Sequence, residues 1–331
     1  MVVHGPSSDR LVPGIHRWLG AVGHAAEEVL PLTGDVSLRR YFRARLAAGG
    51  TAIVAYYPVK LRPICSRFLR TTELLGGAGV PVPPVLAADC RRGLTLLGDS
   101  GLHTLYEQPK RRWDDLLPVY RRAVRHIDRF QALPLDVVDG LNTRLDASLL
   151  RWELRKTWDL LLAPAGLVGP PPVAARLAAA FDRLCEELGG PDRLVPCHRD
   201  YMPRNLMLTR GGEVVVLDHQ DIRLGPVTYD LASLLNDSLF PPPSFEQALV
   251  AEASPGEDGA LAYRRAVVQR TIKAVGTFCA FAQRGLDRHL GLVRPTLARA
   301  WRWFDAVPEL TPLRPALAPL WREYLGDALL H

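Results

Sequence analysis

The run CHRDYMPRNLML, residues 197–208, sets His198, Asp200 and Asn205 between two apolar stretches, RLVP before it and LMLT after it. Polar side chains enclosed by a core cost free energy unless each finds a partner or a use. Asp200 is a carboxylate able to orient a hydroxyl and to receive its proton. Asn205 lies five residues further on, and Asp218 follows thirteen residues after it, at the end of the apolar run VVVLD. An amide and a carboxylate supply the oxygen ligands that a hard cation such as Mg2+ requires. Gln220 and Asp221 come next, suited either to orienting phosphate or hydroxyl groups or to capping the strand end. A proton acceptor beside a cation site is the equipment for moving a phosphoryl group.

The interval H-x-D-x-x-x-x-N is that of a kinase catalytic loop, in which the Asp takes the attacking hydroxyl's proton and the Asn binds magnesium. A strand-ending Asp bridges the metal to the phosphates in the same scheme. Asp200 is therefore the expected catalytic residue, with Asn205 and Asp218 the expected metal ligands. HRD alone would say little; HRD, the Asn at its offset and the later Asp together are specific. Only about a dozen residues separate Asp218 from the helix implied by YDLASLL, too few for a regulated activation segment, and no A-P-E follows. The acceptor expected is a small molecule. Arg204, Gln220, Asp221 and Asp230 are the candidates to contact it. Asp230 also suits an anchor for the loop, with Arg199 paired to a buried carboxylate and the His198 ring as a brace.

These groups need elements to hold them. SLRRYFRARLAAGGTAIVAYYP alternates on either side of Gly49-Gly50, as in a β-hairpin. PICSRFLRTTELLGGAGV has helical spacing closed by glycines, and PPVLAADCRRGLTLLGD gives two more short strands. From about residue 99 amphipathic helices dominate, interrupted by NLMLTRGGEVVVLDHQD, which reads as a second hairpin. The expected architecture is α+β and bilobal, with a small sheet-rich N-terminal lobe at 1–98 for the nucleotide and a larger helical C-terminal lobe at 99–331 for the catalytic loop and acceptor. No G-x-G-x-x-G and no V-A-I-K is present; GDVSLRRYFR stands where a phosphate-covering turn belongs. Ser37 with nearby backbone N–H groups, and a cation from among Arg39, Arg40, Arg43 and Lys60, are the candidates for the phosphates. Backbone groups from Leu97 to Asp99, on the way to the connector, are the candidates for the base.

Composition narrows the class. A chain of 331 residues with 48% hydrophobic and 23% charged residues can bury a sizeable core, and it has no apolar run long enough to span a bilayer. The amino-terminal segment does not read as a secretory signal, which points to a cytoplasmic protein. Five dispersed cysteines suggest neither a disulfide framework nor a zinc site. The net charge of +6 is spread along the chain and suits an anionic nucleotide better than a nucleic acid. Arg264, Arg265, Arg270 and Arg284 have the spacing of a solvated helix face. The expected partners are a nucleotide and a small sugar, with no nucleic acid or membrane, and the chain is expected to be a monomer.

Beyond the kinase spacing, the chain resembles the aminoglycoside phosphotransferase superfamily, and within it the bacterial anomeric N-acetylmuramate and N-acetylglucosamine kinases. The resemblance rests on SLRRYFR, HRDYMPRNLM, LDHQD, GPVTYDLASLLND and RTIKAVGTFCAFAQRGLDRHL and spans most of the chain. It implies a protein-kinase-like fold, ATP and Mg2+ as cofactors, and phosphorylation of an amino sugar in cell-wall sugar recycling. Met202 and Pro203 stand where members usually have His and Ser, His219 where an aromatic is usual, and Gly98 where an acidic residue is usual. Three alternatives remain at this point. One is a phosphotransferase for aminoglycosides or other small hydroxyl compounds. Another is a metal-dependent hydrolase caged by His198, Asp200, Asp218, His219 and Asp221, and the last an inactive ligand-binding kinase fold.

Overall fold

The protein is described by a computed structural model covering residues 8–32, 38–108 and 112–330. It forms two compact units: residues 1–103 with 207–220, and residues 104–206 with 221–331. The first unit thus reaches residue 103 and includes the segment 207–220 that follows the loop 198–205.

In the first unit, helix α1 (Ser8–Ala21) precedes strands β1 (Ala26–Pro31), β2 (Arg40–Leu46) and β3 (Thr51–Tyr56). Helix α2 (Arg62–Gly77) and strands β4 (Val85–Asp89) and β5 (Leu94–Gly98) follow. The strands form one antiparallel sheet in the order β1-β2-β3-β5-β4. Alternation in β2 and β3 sends Phe42, Ala44, Ala52 and Val54 inward, where they meet Ile15, Trp18 and Leu19 of α1. Gly49 and Gly50 turn the hairpin with φ of +92° and +81°, as the sequence predicts. Gly93, with φ +74°, closes β4 to β5 where a Cβ would sit 2.2 Å from the Tyr57 carbonyl oxygen, so only glycine fits.

One sequence expectation needs correction. Cys65 and Cys90 form a disulfide, their Cα atoms 5.6 Å apart. The 25 residues between them hide the proximity, because it arises only once the start of α2 packs against the end of β4.

In the second unit the helices are α3 (Trp113–Gln131), α4 (Leu135–Asp139), α5 (Ala147–Thr157) and α6 (Pro171–Gly189), then α7 (Tyr229–Leu235) and α8 (Pro243–Ala253). Helices α9 (Gly256–Ala282), α10 (Val293–Arg302) and α11 (Arg314–Leu325) complete it. Strands β6 (Leu194–Cys197) and β9 (Arg223–Pro226) pair antiparallel here, whereas the pair of β7 (Leu206–Leu208) and β8 (Val214–Val216) belongs, apart from Leu206, to the first unit. The β6–β9 ribbon delivers the chain into residues 198–205 from a fixed strand end. In the first unit the Val216 N–H donates to the Pro81 carbonyl at 2.8 Å and holds the end of β8. No helix among the described residues is long and apolar enough to cross a membrane.

Helix α9 is the axis of the second unit, and it corrects another expectation. Arg270 is not on a solvated face: it is 6% exposed, and Arg265 is ion-paired to Glu309 and Glu187, while Arg284 is exposed. The helix is polar enough to look superficial, yet it is surrounded by α5, α7 and α10. Its approach to α5 is set by Gly276, where a Cβ would fall 2.2 Å from Thr157 Oγ1 and 2.9 Å from Thr157 backbone atoms. The Thr157 hydroxyl in turn donates to the Ile272 carbonyl at 2.7 Å. Gly276→Val is therefore expected to cost about 1–3 kcal/mol through overpacking. A thermal unfolding midpoint equal to the parent's would contradict that close crossing.

Candidate active site

The loop 198–205 is held by Asp230, in the first turn of α7. Its carboxylate accepts the N–H groups of His198 at 2.6 Å and of Arg199 at 2.9 Å. Burial pushes the Asp230 carboxyl up to about 6, although His198 and the two N–H donors pull the other way. The His198 ring is fully buried against Phe130 and Tyr201. It acts as a packed brace, which leaves it unsuited to the metal cage of the hydrolase alternative. Arg199 adopts φ +74°, a left-handed conformation unusual for a residue with a side chain. The two Asp230 bonds hold that turn in place, and strain of this kind is typical of loops that aim a functional group.

The turn aims Asp200. Its main-chain carbonyl accepts the Met202 N–H at 2.9 Å and the Asn205 Nδ2 at 2.8 Å. With Nδ2 so engaged, Asn205 Oδ1 has no protein donor among the described residues and is available to a cation, so the amide fits the metal role. The Asp200 carboxylate likewise receives no hydrogen bond from the protein among the described residues, and its side chain is 28% exposed. It is free to accept one from a hydroxyl.

Around Asp200 stands a cluster of charges. Lys273 Nζ lies 3.8 Å from Asp200 Oδ1 and 4.0 Å from Glu153 Oε1. Arg270 comes within 3.7 Å of Asp200 Oδ1, and its Nε donates to Ser233 Oγ at 2.8 Å. Arg199 donates to Glu153 Oε1 at 2.9 Å, the buried carboxylate expected for it. Burial by itself would raise the Asp200 carboxyl, but Lys273, Arg199 and Arg270 reverse this and hold it well below the usual range. Burial also lowers Lys273, to about 8, against the pull of Asp200 and Glu153.

In the first unit, Asp218 lies two residues beyond β8 with φ +57°, the second left-handed side-chain-bearing residue of the site. Arg39 and Gln220 both hold its Oδ1. Arg39 is ion-paired to it, and Gln220 Nε2 donates to it at 3.0 Å while Gln220 Oε1 accepts from Arg39 at 3.0 Å. The amide thus turns its carbonyl to the cation and its NH2 to the carboxylate. Oδ2 has no protein donor among the described residues, and the side chain is 33% exposed, which fits a cation ligand. His219 Nδ1 lies 2.8 Å from Thr71 Oγ1 and its ring stacks on Phe68, so α2 is wired to the residue beside Asp218. No three of His, Cys, Asp and Glu form a metal cage among the described residues.

Several expected contacts are placed differently. Asp230 is buried with both oxygens engaged, and Gln220 is buried against Arg39 and Asp218, so neither reaches an acceptor directly. Arg43 donates to Asp99 Oδ2 at 2.8 Å and to the Gly101 carbonyl at 2.9 Å, and Thr51 Oγ1 adds a bond to Asp99 Oδ2. That pair stiffens the end of β5, which leaves Arg39 as the cation at Asp218. Arg204 packs its guanidinium 3.5 Å from the Tyr106 ring centre and bonds Ser238 at 3.0 Å. Asp221 is partly exposed, with Arg223 at 3.8 Å. Leu97 is buried in β5 between β3 and β4, Arg40 begins β2, and Lys60 is exposed in the turn before α2. Ser37 lies outside the described residues. Sequence reasoning did not single out Glu153 and Lys273, which the structure brings to Asp200; neither lies in a motif, and Lys273 sits in a helix that buries Gln269, Arg270 and Thr271 as well.

The α+β units and the loop between β6 and β7 define a phosphotransferase of the protein-kinase-like class. The solved choline kinase LicA from Streptococcus pneumoniae has the same fold, with a TM-score of 0.62 over 94% of this chain and 99% of that one at 14% identity. The sequence pattern of the phosphotransferase enzyme family matches residues 28–267, and the chain belongs to that family. It is 33% identical to the N-acetylmuramate/N-acetylglucosamine kinase of Pseudomonas aeruginosa over 325 residues, covering 88% of each chain. The protein of the same name from Pseudomonas putida is 33% identical over 304 residues, 87% of this chain and 85% of that one.

Proposed function

We propose that the protein transfers the γ-phosphoryl group of ATP to the anomeric hydroxyl of an N-acetylated amino sugar, N-acetylmuramate or N-acetylglucosamine. The observation that carries this reading is the cationic surrounding of Asp200. Lys273, Arg270 and Arg199 hold its carboxyl so low that it is a weak base. A hemiacetal hydroxyl is more acidic than an ordinary alcohol, so a weak base suffices. A polycationic aminoglycoside would instead meet like charge at the reacting centre, a costly juxtaposition. The two relatives named for amino sugars support the same choice.

Magnesium, when bound, neutralises phosphate charge that would repel the incoming oxygen, and Asn205 and Asp218 would supply its ligands. Asp200 orients the acceptor hydroxyl and takes its proton as the oxygen–phosphorus bond forms and the bond to the ADP oxygen breaks. Holding the hydroxyl in line is worth more here than basicity, because phosphoryl transfer depends chiefly on positioning and charge stabilisation. Arg39 and Gln220 fix the rotamer of Asp218, and Asp230 fixes the loop that carries Asp200.

A nucleotide-consumption screen with ATP and Mg2+ tests the acceptor. Rapid turnover is expected with N-acetylmuramate or N-acetylglucosamine and none with aminoglycosides. Fast phosphorylation of aminoglycosides with neither amino sugar accepted would contradict the acceptor while leaving the phosphotransferase intact.

A further inference from the structure

Among the three cations of the charge cluster, Lys273 is the one with no hydrogen bond to a protein acceptor among the described residues. Arg199 bonds Glu153 and Arg270 bonds Ser233, both at hydrogen-bond distance. The Lys273 ammonium, with three donors, is only ion-paired, at 3.8 Å and 4.0 Å, and no protein acceptor lies within hydrogen-bond reach among the described residues. The Lys273 side chain is 11% exposed, and its ammonium has three donors to offer a ligand that reaches it. The charges point to the kind of ligand. Three cations, Arg199, Arg270 and Lys273, face two carboxylates, Asp200 and Glu153, so the cluster holds one positive charge in excess.

We propose that Lys273 is a further catalytic group, whose ammonium contacts the reacting oxygen and the anionic phosphoryl group during transfer. The inference rests on the reading of Asp200 as the residue that binds the acceptor hydroxyl. A cation 3.8 Å from Asp200 Oδ1 stands beside whatever oxygen that carboxylate holds. It lowers the acidity barrier of the hydroxyl and attracts charge developing on the phosphoryl oxygens. Lys273 neither gives nor takes a proton: the proton passes to Asp200, the acceptor oxygen bonds to phosphorus, and the electron pair of the broken bond leaves with ADP. Glu153 and the Arg199 that it binds are positioning groups, keeping the ammonium in place through α5 and α9. This arrangement is distinct from recognition of a carboxylate elsewhere on the acceptor, because the lysine is placed by its distance to the base.

The experiment compares the parent with Lys273→Met, Lys273→Arg and Asp200→Asn, each as the full chain. Steady-state constants are measured on N-acetylmuramate, which carries a carboxylate, and on N-acetylglucosamine, which does not. If the screen finds another acceptor, that acceptor is used, so failure of the amino-sugar reading does not remove the test. Lys273→Met is expected to lose about tenfold to 10²-fold in kcat on every acceptor, with KM for ATP little changed. Lys273→Arg is expected to recover part of the loss. The charged and titratable groups facing the lysine are Asp200, Glu153, Arg199 and Arg270, and burial lowers Lys273 itself to about 8. The parent's kcat should therefore fall as pH rises through about 8, and that limb should be absent in Lys273→Arg, whose charge persists. Unfolding midpoints are recorded for each variant, and should Lys273→Met not fold, the pH profile of Lys273→Arg decides. Three results would overturn the proposal: parent-like kcat in Lys273→Met, a loss confined to KM for the carboxylate-bearing sugar, or an alkaline limb retained in Lys273→Arg. Parent-like activity in Asp200→Asn would instead remove the reading of Asp200 on which the inference stands.

Discussion

Asp200→Asn is expected to lower kcat by about 10²–10⁴-fold, the usual worth of a positioned general base. Nucleotide affinity should remain close to the parent's, because Asp200 serves the acceptor hydroxyl. Some loss of stability accompanies it. Burial raises the Asp200 carboxyl, but Lys273, Arg199 and Arg270 bring it below its ordinary value of 3.8 in the folded protein. A carboxyl depressed on folding stabilises above its unfolded pKa, and that contribution is lost as pH falls through the folded value. At neutral pH the parent has the full benefit and the Asn variant has none, so its unfolding midpoint should be lower while the chain still folds. Stopped-assay kinetics read beside a thermal melt separate the two effects. A folded Asp200→Asn variant with parent-like kcat would remove this carboxylate from the reaction.

Asp218→Asn should act on the nucleotide. It replaces a charged oxygen ligand by a neutral amide and leaves Arg39 and Gln220 facing a side chain with less negative charge. Metal charge stabilisation is worth several kcal/mol, so kcat/KM for ATP is expected to fall about 10³-fold. Calorimetric titration with a non-hydrolysable ATP analogue should show magnesium-dependent binding in the parent and little in the variant. Equal affinity in both, with and without magnesium, would contradict the role.

The residues that announce themselves in the sequence are those whose spacing is local. Asp200 and Asn205 share one loop, and Asp218 follows a short apolar strand by two residues, so they stand out as candidates from offsets alone. The first hairpin and the β4–β5 turn are equally legible, since Gly49, Gly50 and Gly93 sit where positive φ is required. What the sequence hides are contacts made between distant elements. Lys273 on α9 meets Asp200 and Glu153 only because Gly276 lets α9 approach α5. Arg270 reads as surface because a charged residue in a long helix usually is, and here α7 covers it, with Ser233 as its acceptor. Cys65 and Cys90 are paired by packing that no spacing rule anticipates. Asp230 shows the limits of position: its place in the first turn of α7 is visible, but only the bonds to His198 and Arg199 distinguish an anchor from an acceptor contact. The choice of phosphate-binding cation is open among four residues in the sequence for the same reason, since the bond of Arg43 to Asp99 and the ion pair of Arg39 to Asp218 join distant positions.

Phosphorus NMR of a complete reaction mixture, with parent protein, ATP, magnesium and N-acetylmuramate or N-acetylglucosamine, tests the central claim most directly. The account predicts one sugar phosphate ester for each ADP formed, with its phosphorus coupled to the anomeric proton, and no such ester with Asp200→Asn. ADP accompanied only by inorganic phosphate, or an ester formed equally well by the Asp200 variant, would contradict it.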